Sequence, residues 1–364
     1  MQRSTTFLLC GLLSLCYPCL LQAQTTLGSD SIAENLSEWS VGGYSGYLLA
    51  HHPDLQFLSD GHSIGGGVSW AHRTNGSKDW HHFFNFPAWG VELDGYGLGS
   101  DYLGGAGAVR IFWDIPLNAS KSIHWKMGIG PGYISKPFDP DENLQNSAIG
   151  SHINTAFALE CYFRVKLSQK VELKPGLALH HYSNGALQMP NSGLNYLMLH
   201  TVVAFAPKGF RDPTRLSPPF PKGEQHWRLG ISAGMKQGDE IQSPYYGVVN
   251  GFGIWDIRVS PKSLLGAEVG LNYNATLATR VEGQDDPSFN YRAYVAGLYQ
   301  LCFGDLGIRF SAGAYIAPKF TEDGAVFLRY HILYNFNRIQ IFAGLKSHYA
   351  KADNIEIGTA IRIK

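Results

Sequence analysis

Beyond residue 24 the chain alternates apolar and polar residues again and again, and nowhere does an apolar run approach the ~18 residues that a membrane-spanning helix requires. In the last segment Ile355, Ile357, Thr359, Ile361 and Ile363 are separated by Glu356, Gly358, Ala360 and Arg362. Residues 170–183 place Val171, Leu173, Leu177 and Leu179 on one face, with Glu172, Lys174, Gly176 and Ala178 on the other. Residues 327–336 set Leu328, Tyr330, Ile332, Tyr334 and Phe336 against Arg329, His331 and Asn335. A period of two means strands with one apolar and one polar face. A soluble sandwich would bury the apolar face against a second sheet. A membrane barrel turns it to lipid and keeps the polar, Gly-rich face inside. Composition favours the barrel: only 16% of residues are charged, against about 25% in an ordinary soluble domain. The 42 glycines, and Tyr and Trp recurring near strand ends as an interfacial girdle would, agree with it.

The spacing predicts about sixteen antiparallel strands, eight before residue 206 and eight after residue 225. Between them, residues 207–222 contain five prolines, which cannot donate to a sheet ladder, so 207–224 reads as a linker. The two halves are a diverged repeat. Gly128-Ile129-Gly130-Pro131-Gly132-Tyr133-Ile134 resembles Ser311-Ala312-Gly313-Ala314-Tyr315-Ile316, and each is followed by an acidic loop, two strands and a His-Tyr dipeptide. Two tandem eight-stranded barrels, 25–206 and 225–364, fit this pattern; one barrel of about sixteen strands is the alternative.

Residues 1–24 read as a secretory signal peptide, with Arg3 ahead of an apolar stretch from Phe7 to Leu21 and the small residue Ala23 near the end. Neither Cys16 nor Cys19 is preceded by the residues of a lipoprotein signal. Cys161 and Cys302, one in each half, suggest neither a disulfide framework nor a zinc site. Lys plus Arg and Asp plus Glu are 29 each, which rules out a polybasic nucleic-acid binder. His51-His52 and His81-His82 are expected to be surface or interfacial residues, because neighbours on a strand point to opposite faces. No metal or cofactor is expected.

The chemistry concentrates between His180 and Asn195. His181 and Ser183 share the outward face of Leu177 and Leu179, so an imidazole stands beside a hydroxyl whose proton it could take. A pair on the lipid side suits a substrate that is itself a membrane lipid. If 184–194 is the connection, Ser183 lies opposite Asn195, and His181 is diagonal to it at roughly 7–8 Å between α-carbons. Asn184 and Asn191 are candidate donors to an oxyanion.

The run His181-Tyr182-Ser183-Asn184 followed by Pro190-Asn191-Ser192-Gly193, before another apolar strand, resembles the PagL family of outer-membrane lipid A 3-O-deacylases. The resemblance extends over roughly residues 39–206. It implies an eight-stranded barrel with the site on its outer surface, His181 as base, Ser183 as nucleophile and lipid A of lipopolysaccharide as substrate, among outer-membrane lipids. It also exposes a departure, because the family's acidic member falls on Asn195. An Asn can orient the imidazole but supplies no negative charge. Asn195 is therefore the expected orienter, with Glu92 and Asp94 as substitutes by nearness to a strand. The rival expectation is a non-catalytic barrel (porin-like, adhesive or assembling) with a lapsed site. His348-Tyr349 in the second half lacks the following serine and is predicted to turn His348 inward, marking a degenerate copy.

Overall fold

A computed structural model describes residues 36–210, 213–238, 240–280, 286–316, 324–349 and 351–363. The signal-peptide reading falls outside these residues. Seventeen strands follow one another with little else. In the first half they are β1 (Ser37–Leu48), β2 (His62–Arg73), β3 (Ala88–Gly97), β4 (Gly105–Pro116), β5 (Ile123–Ile134), β6 (Ile153–Phe163), the two-residue β7 (Val165–Lys166), β8 (Val171–Ser183) and β9 (Leu194–Phe205). In the second half they are β10 (Gln225–Gln237), β11 (Tyr245–Ser260), β12 (Ser263–Asn274), β13 (Tyr291–Phe303), β14 (Leu306–Ile316), β15 (Val326–Phe336), β16 (Ile339–His348) and β17 (Lys351–Arg362).

Each half closes on itself. In the first, β1 pairs with β9 from Trp39↔Phe205 to Leu48↔Tyr196, and β6 pairs with β8 from Thr155↔Ser183 to Tyr162↔Gly176. In the second, β10 pairs with β17, completing a ring of eight. Two eight-stranded antiparallel barrels result, so the single sixteen-stranded alternative is overturned. Closure is the physical reason: each half satisfies all its strand edges without the other. The repeated segment occupies the fifth strand of each barrel, β5 and β14, and the His-Tyr dipeptides fall at the end of the seventh, β8 and β16.

The alternation resolves as expected. Even residues of β8 (Ala178, His180, Tyr182) are buried in the lumen, whereas Leu177 is 51% exposed. Outward Leu197 and Leu199 on β9, and Leu229 and Ile231 on β10, are exposed likewise. Exposed Trp39 and Trp227 lie at the end of the barrels that carries their chain termini. Exposed Tyr47, Tyr133, Tyr245 and Tyr291 lie at the opposite end, which bears the loop 184–193. Such a pair of aromatic girdles around an apolar belt is the profile of a lipid-facing barrel. No described helix is long and apolar enough to cross a membrane, which says nothing of barrels.

The lumens are packed. Arg110 donates to Glu92 at 2.7 Å and also meets Asp94, while Lys126 bridges Glu92 and Glu160, the latter at 3.1 Å. In the second barrel Arg329 meets Glu268 at 2.5 Å, and His331 meets Glu356 at 2.8 Å. These buried charges are tolerable because each has a partner of opposite sign, while buried Arg309 is held by the side-chain carbonyls of Gln300 and Gln340. Two cavities inside the first lumen measure about 20 Å³ each.

Leu36–Lys364 pack as one unit, with the barrels side by side. At the terminal end the β2–β3 connection, carrying the short helix Asp79–Phe83, stacks Phe84 on Phe303 at 4.2 Å between ring centroids. His82 accepts the N–H of Leu216 from the linker at 3.2 Å, and His81 accepts that of Gly76 at 3.2 Å. This histidine pair therefore holds a connection in place.

Candidate functional site

The site sits at the far end of β8 and β9, on the outside of the first barrel. Register places His181 directly opposite Asn195, and Tyr182 opposite Leu194. The expected register, Ser183 opposite Asn195, is therefore wrong by two residues. Both ends of the loop differ from expectation: the strand resumes at Leu194, which is fully buried, and the last residue of β8 paired with β9 is Tyr182, not Ser183. The shift brings the two side chains together: His181 Nδ1 lies 2.7 Å from Asn195 Oδ1.

That contact fixes the chemistry of the imidazole. With Oδ1 as acceptor, Nδ1 carries the proton and Nε2 keeps its lone pair. The orientation of the Asn195 amide is in turn set by His51. Asn195 Nδ2 lies 3.1 Å from His51 Nδ1, and His51 Nε2 lies 3.1 Å from the Ser192 carbonyl. The Nε2–H tautomer of His51 satisfies both contacts; the other tautomer would satisfy only the Leu49 carbonyl, at 3.3 Å. A bare His51 Nδ1 requires the NH₂ side of Asn195, which leaves Oδ1 for His181.

Ser183 follows two residues on, on the same face, and is only 7% exposed. Gly193 explains how hydroxyl and imidazole share one space. Its φ is +78°, a conformation that suits glycine. A Cβ built there would stand 2.9 Å from His181 Cε1 and 3.7 Å from Ser183 Cβ. Glycine leaves room between His181 and Ser183.

The two candidate oxyanion donors separate. Asn184 Nδ2 is spent on Ser151 Oγ at 2.9 Å and the Gln188 carbonyl at 2.7 Å, and its main-chain N–H goes to Asn191 Oδ1 at 2.9 Å. Asn184 therefore builds the loop. Asn191 uses its oxygen and, among the described residues, keeps its NH₂ for other work. Glu92 and Asp94 are brought to the wrong side of the wall. Both lie in the lumen on Arg110 and cannot reach His181, as the outward Val91 and Leu93 flanking Glu92 already implied.

His51 is the member that reading the sequence missed. It lies 144 residues from Asn195, and only the pairing of the first strand with the last brings it there, through Leu49 N–H on the Asn195 carbonyl at 2.7 Å. In the second barrel His348 points inward as expected, its Nε2 2.9 Å from Tyr315 Oη.

Residues 64–204 match the family model described as lipid A 3-O-deacylase (PagL), and residues 225–364 match the model described as acyloxyacyl hydrolase, C-terminal domain. Comparison with curated proteins finds no match. Among solved structures, a variant of the Rhodopseudomonas blastica porin aligns over 90% of this chain and 99% of its own, at 9% identity and a TM-score of 0.19. A triple variant of that porin aligns with the same coverage and score at 10% identity. At these scores the alignments carry no argument.

Proposed function

Because the chain belongs to the PagL-like lipid A 3-O-deacylase family, with an acyloxyacyl hydrolase C-terminal domain after it, we propose that it is an outer-membrane serine esterase that removes an ester-linked acyl chain from lipid A. The observation that carries this reading is the 2.7 Å contact of His181 Nδ1 with Asn195 Oδ1, made on the outward side beside Gly193, whose added Cβ would meet both His181 and Ser183.

The steps follow from the geometry. Ser183 Oγ attacks the ester carbonyl while its proton passes to His181 Nε2. The imidazolium formed keeps its Nδ1–H on Asn195 Oδ1, a dipole where a carboxylate would give a full charge. Asn191 Nδ2 is the donor placed to meet the oxyanion. As the tetrahedral species collapses, the proton moves from His181 to the departing sugar oxygen, leaving the acyl group on Ser183. Water, deprotonated by the same imidazole, then releases the fatty acid. Rate falls as pH drops through the titration of His181, because only the neutral ring accepts a proton. Leu177, Leu197 and Leu199 continue the same outward face as an apolar wall along which acyl chains can lie. The ion-pair network of Arg110, Glu92, Lys126 and Glu160 across the first lumen speaks against the porin-like rival for that barrel.

The test is purified full-length chain with lipid A in detergent, read by mass spectrometry. Ser183→Ala is expected to lower the rate by about 10³-fold or more while the barrel still folds. Wild-type activity in that variant would falsify the assignment.

A further inference from the structure

The loop that carries the chemistry is not held by the first barrel alone. Gln237, the last residue of β10, is 6% exposed and reaches across to it. Its main-chain N–H donates to the Ala186 carbonyl at 3.0 Å, and its Oε1 accepts the Met189 N–H at 2.7 Å. Its Nε2 donates to the Ser243 carbonyl of its own hairpin at 3.0 Å, which fixes the side chain before it meets the loop. Ala186 has φ +66°, a left-handed conformation costly for a residue with a Cβ, so its carbonyl needs an external partner to stay where it is. Gly185, also left-handed, lies so near Ile355 of β17 that a Cβ there would stand 2.4 Å from Ile355 Cγ1.

We propose that Gln237 is a positioning residue for catalysis: the second barrel clamps loop 184–193 through it, and so sets where Asn191 stands relative to Ser183. Met189 is two residues before Asn191, and Asn191 Oδ1 receives the Asn184 N–H beside the nucleophile. Pinning the Met189 N–H therefore fixes the far arm of the loop, while Asn184 fixes the near one. This gives the second barrel a part in the reaction although it holds no copy of the site. The inference rests on the esterase reading above.

The experiment uses full-length chain in detergent micelles, with initial rates on lipid A and hydrogen exchange of the 184–193 amides. Gln237→Leu removes the acceptor and is expected to lower kcat about 10–100-fold with KM changed less than about twofold, since a misplaced loop costs rate more than binding. Exchange across the loop should rise about tenfold. Gln237→Glu keeps an oxygen for the Met189 N–H but loses the donor to the Ser243 carbonyl, so it should recover part of kcat and stay clearly above Gln237→Leu, which a merely structural loss would not allow. Ile355→Ala, which loosens the second barrel's neighbouring contact at Gly185 without touching a hydrogen bond, should move rate and exchange the same way by less; it decides whether the second barrel clamps the loop if Gln237→Leu fails to yield a heat-resistant barrel. Unchanged kcat and exchange in these variants, or a loss that Gln237→Glu does not relieve, overturns the proposal. An inactive wild type would defeat the esterase reading instead, and the exchange comparison would still decide this one.

Discussion

The seventh strands of the two barrels end on the same dipeptide and come to opposite uses. In β8, His181 faces out, meets Asn195 across the ladder, and is followed by a ten-residue loop before β9. In β16 a register irregularity between Lys346 and Ser347 precedes His348, which faces in toward Tyr315 and Asp353. Only two residues then separate it from β17, and Tyr349 is left 68% exposed. The difference shows that a His-Tyr pair at a strand end is not itself a site. What makes one is parity that turns the imidazole outward, a polar partner on the next strand, and a loop long enough to bring donors back over the nucleophile.

The sharpest way to break this contrast is to remove a serine from each strand end. Ser183→Ala should abolish deacylation as stated above, whereas Ser347→Ala, in the barrel without the loop, should leave the rate within about twofold of wild type. A rate loss in Ser347→Ala comparable to that of Ser183→Ala would mean that the second barrel carries chemistry of its own. Next in size is Gly193→Val. It places a side chain between His181 and Ser183 at a φ that valine resists, and about a 10²-fold drop in kcat is expected with the barrel still heat-resistant.

Asn195 comes third. Asn195→Ala frees the imidazole and should cost about tenfold or more, while Asn195→Asp keeps the acceptor, adds charge for the imidazolium, and should match or exceed wild type. Steady-state rates of the pair separate orientation from charge, and equal activity in Asn195→Ala would remove Asn195 from the site. The smallest effect belongs to His51→Phe, which leaves the Asn195 amide free to turn over. A few-fold loss is expected, and it should vanish in the Asn195→Asp background, because a carboxylate has no wrong side. An undiminished His51 effect in that background would assign His51 another role.

What could be read from the sequence follows the range of the interactions. Strands were legible because alternation is a local property: β8 and β15 begin and end within a residue of the segments 170–183 and 327–336 read from the sequence. His181, Ser183 and Asn195 were legible for the same reason, lying within fifteen residues on adjacent strands. The register was not, because it turned on whether Leu194 belongs to loop or strand. His51 and Gln237 were beyond reach for a different reason. One arrives by closure of the first barrel and the other by docking of the second, and neither event leaves a mark in nearby residues. Glu92 and Asp94 could have been set aside on parity alone.

The proposed site's place on the outward face that also carries Leu177, Leu197 and Leu199 has a kinetic consequence. A substrate that reaches this face arrives sideways, by diffusion within a leaflet, and never crosses bulk water. On the proposed esterase reading, the concentration that governs turnover is then the mole fraction of lipid A among its neighbours. Diluting the sample with buffer leaves the rate per enzyme unchanged, whereas diluting the leaflet with inert lipid slows it in proportion.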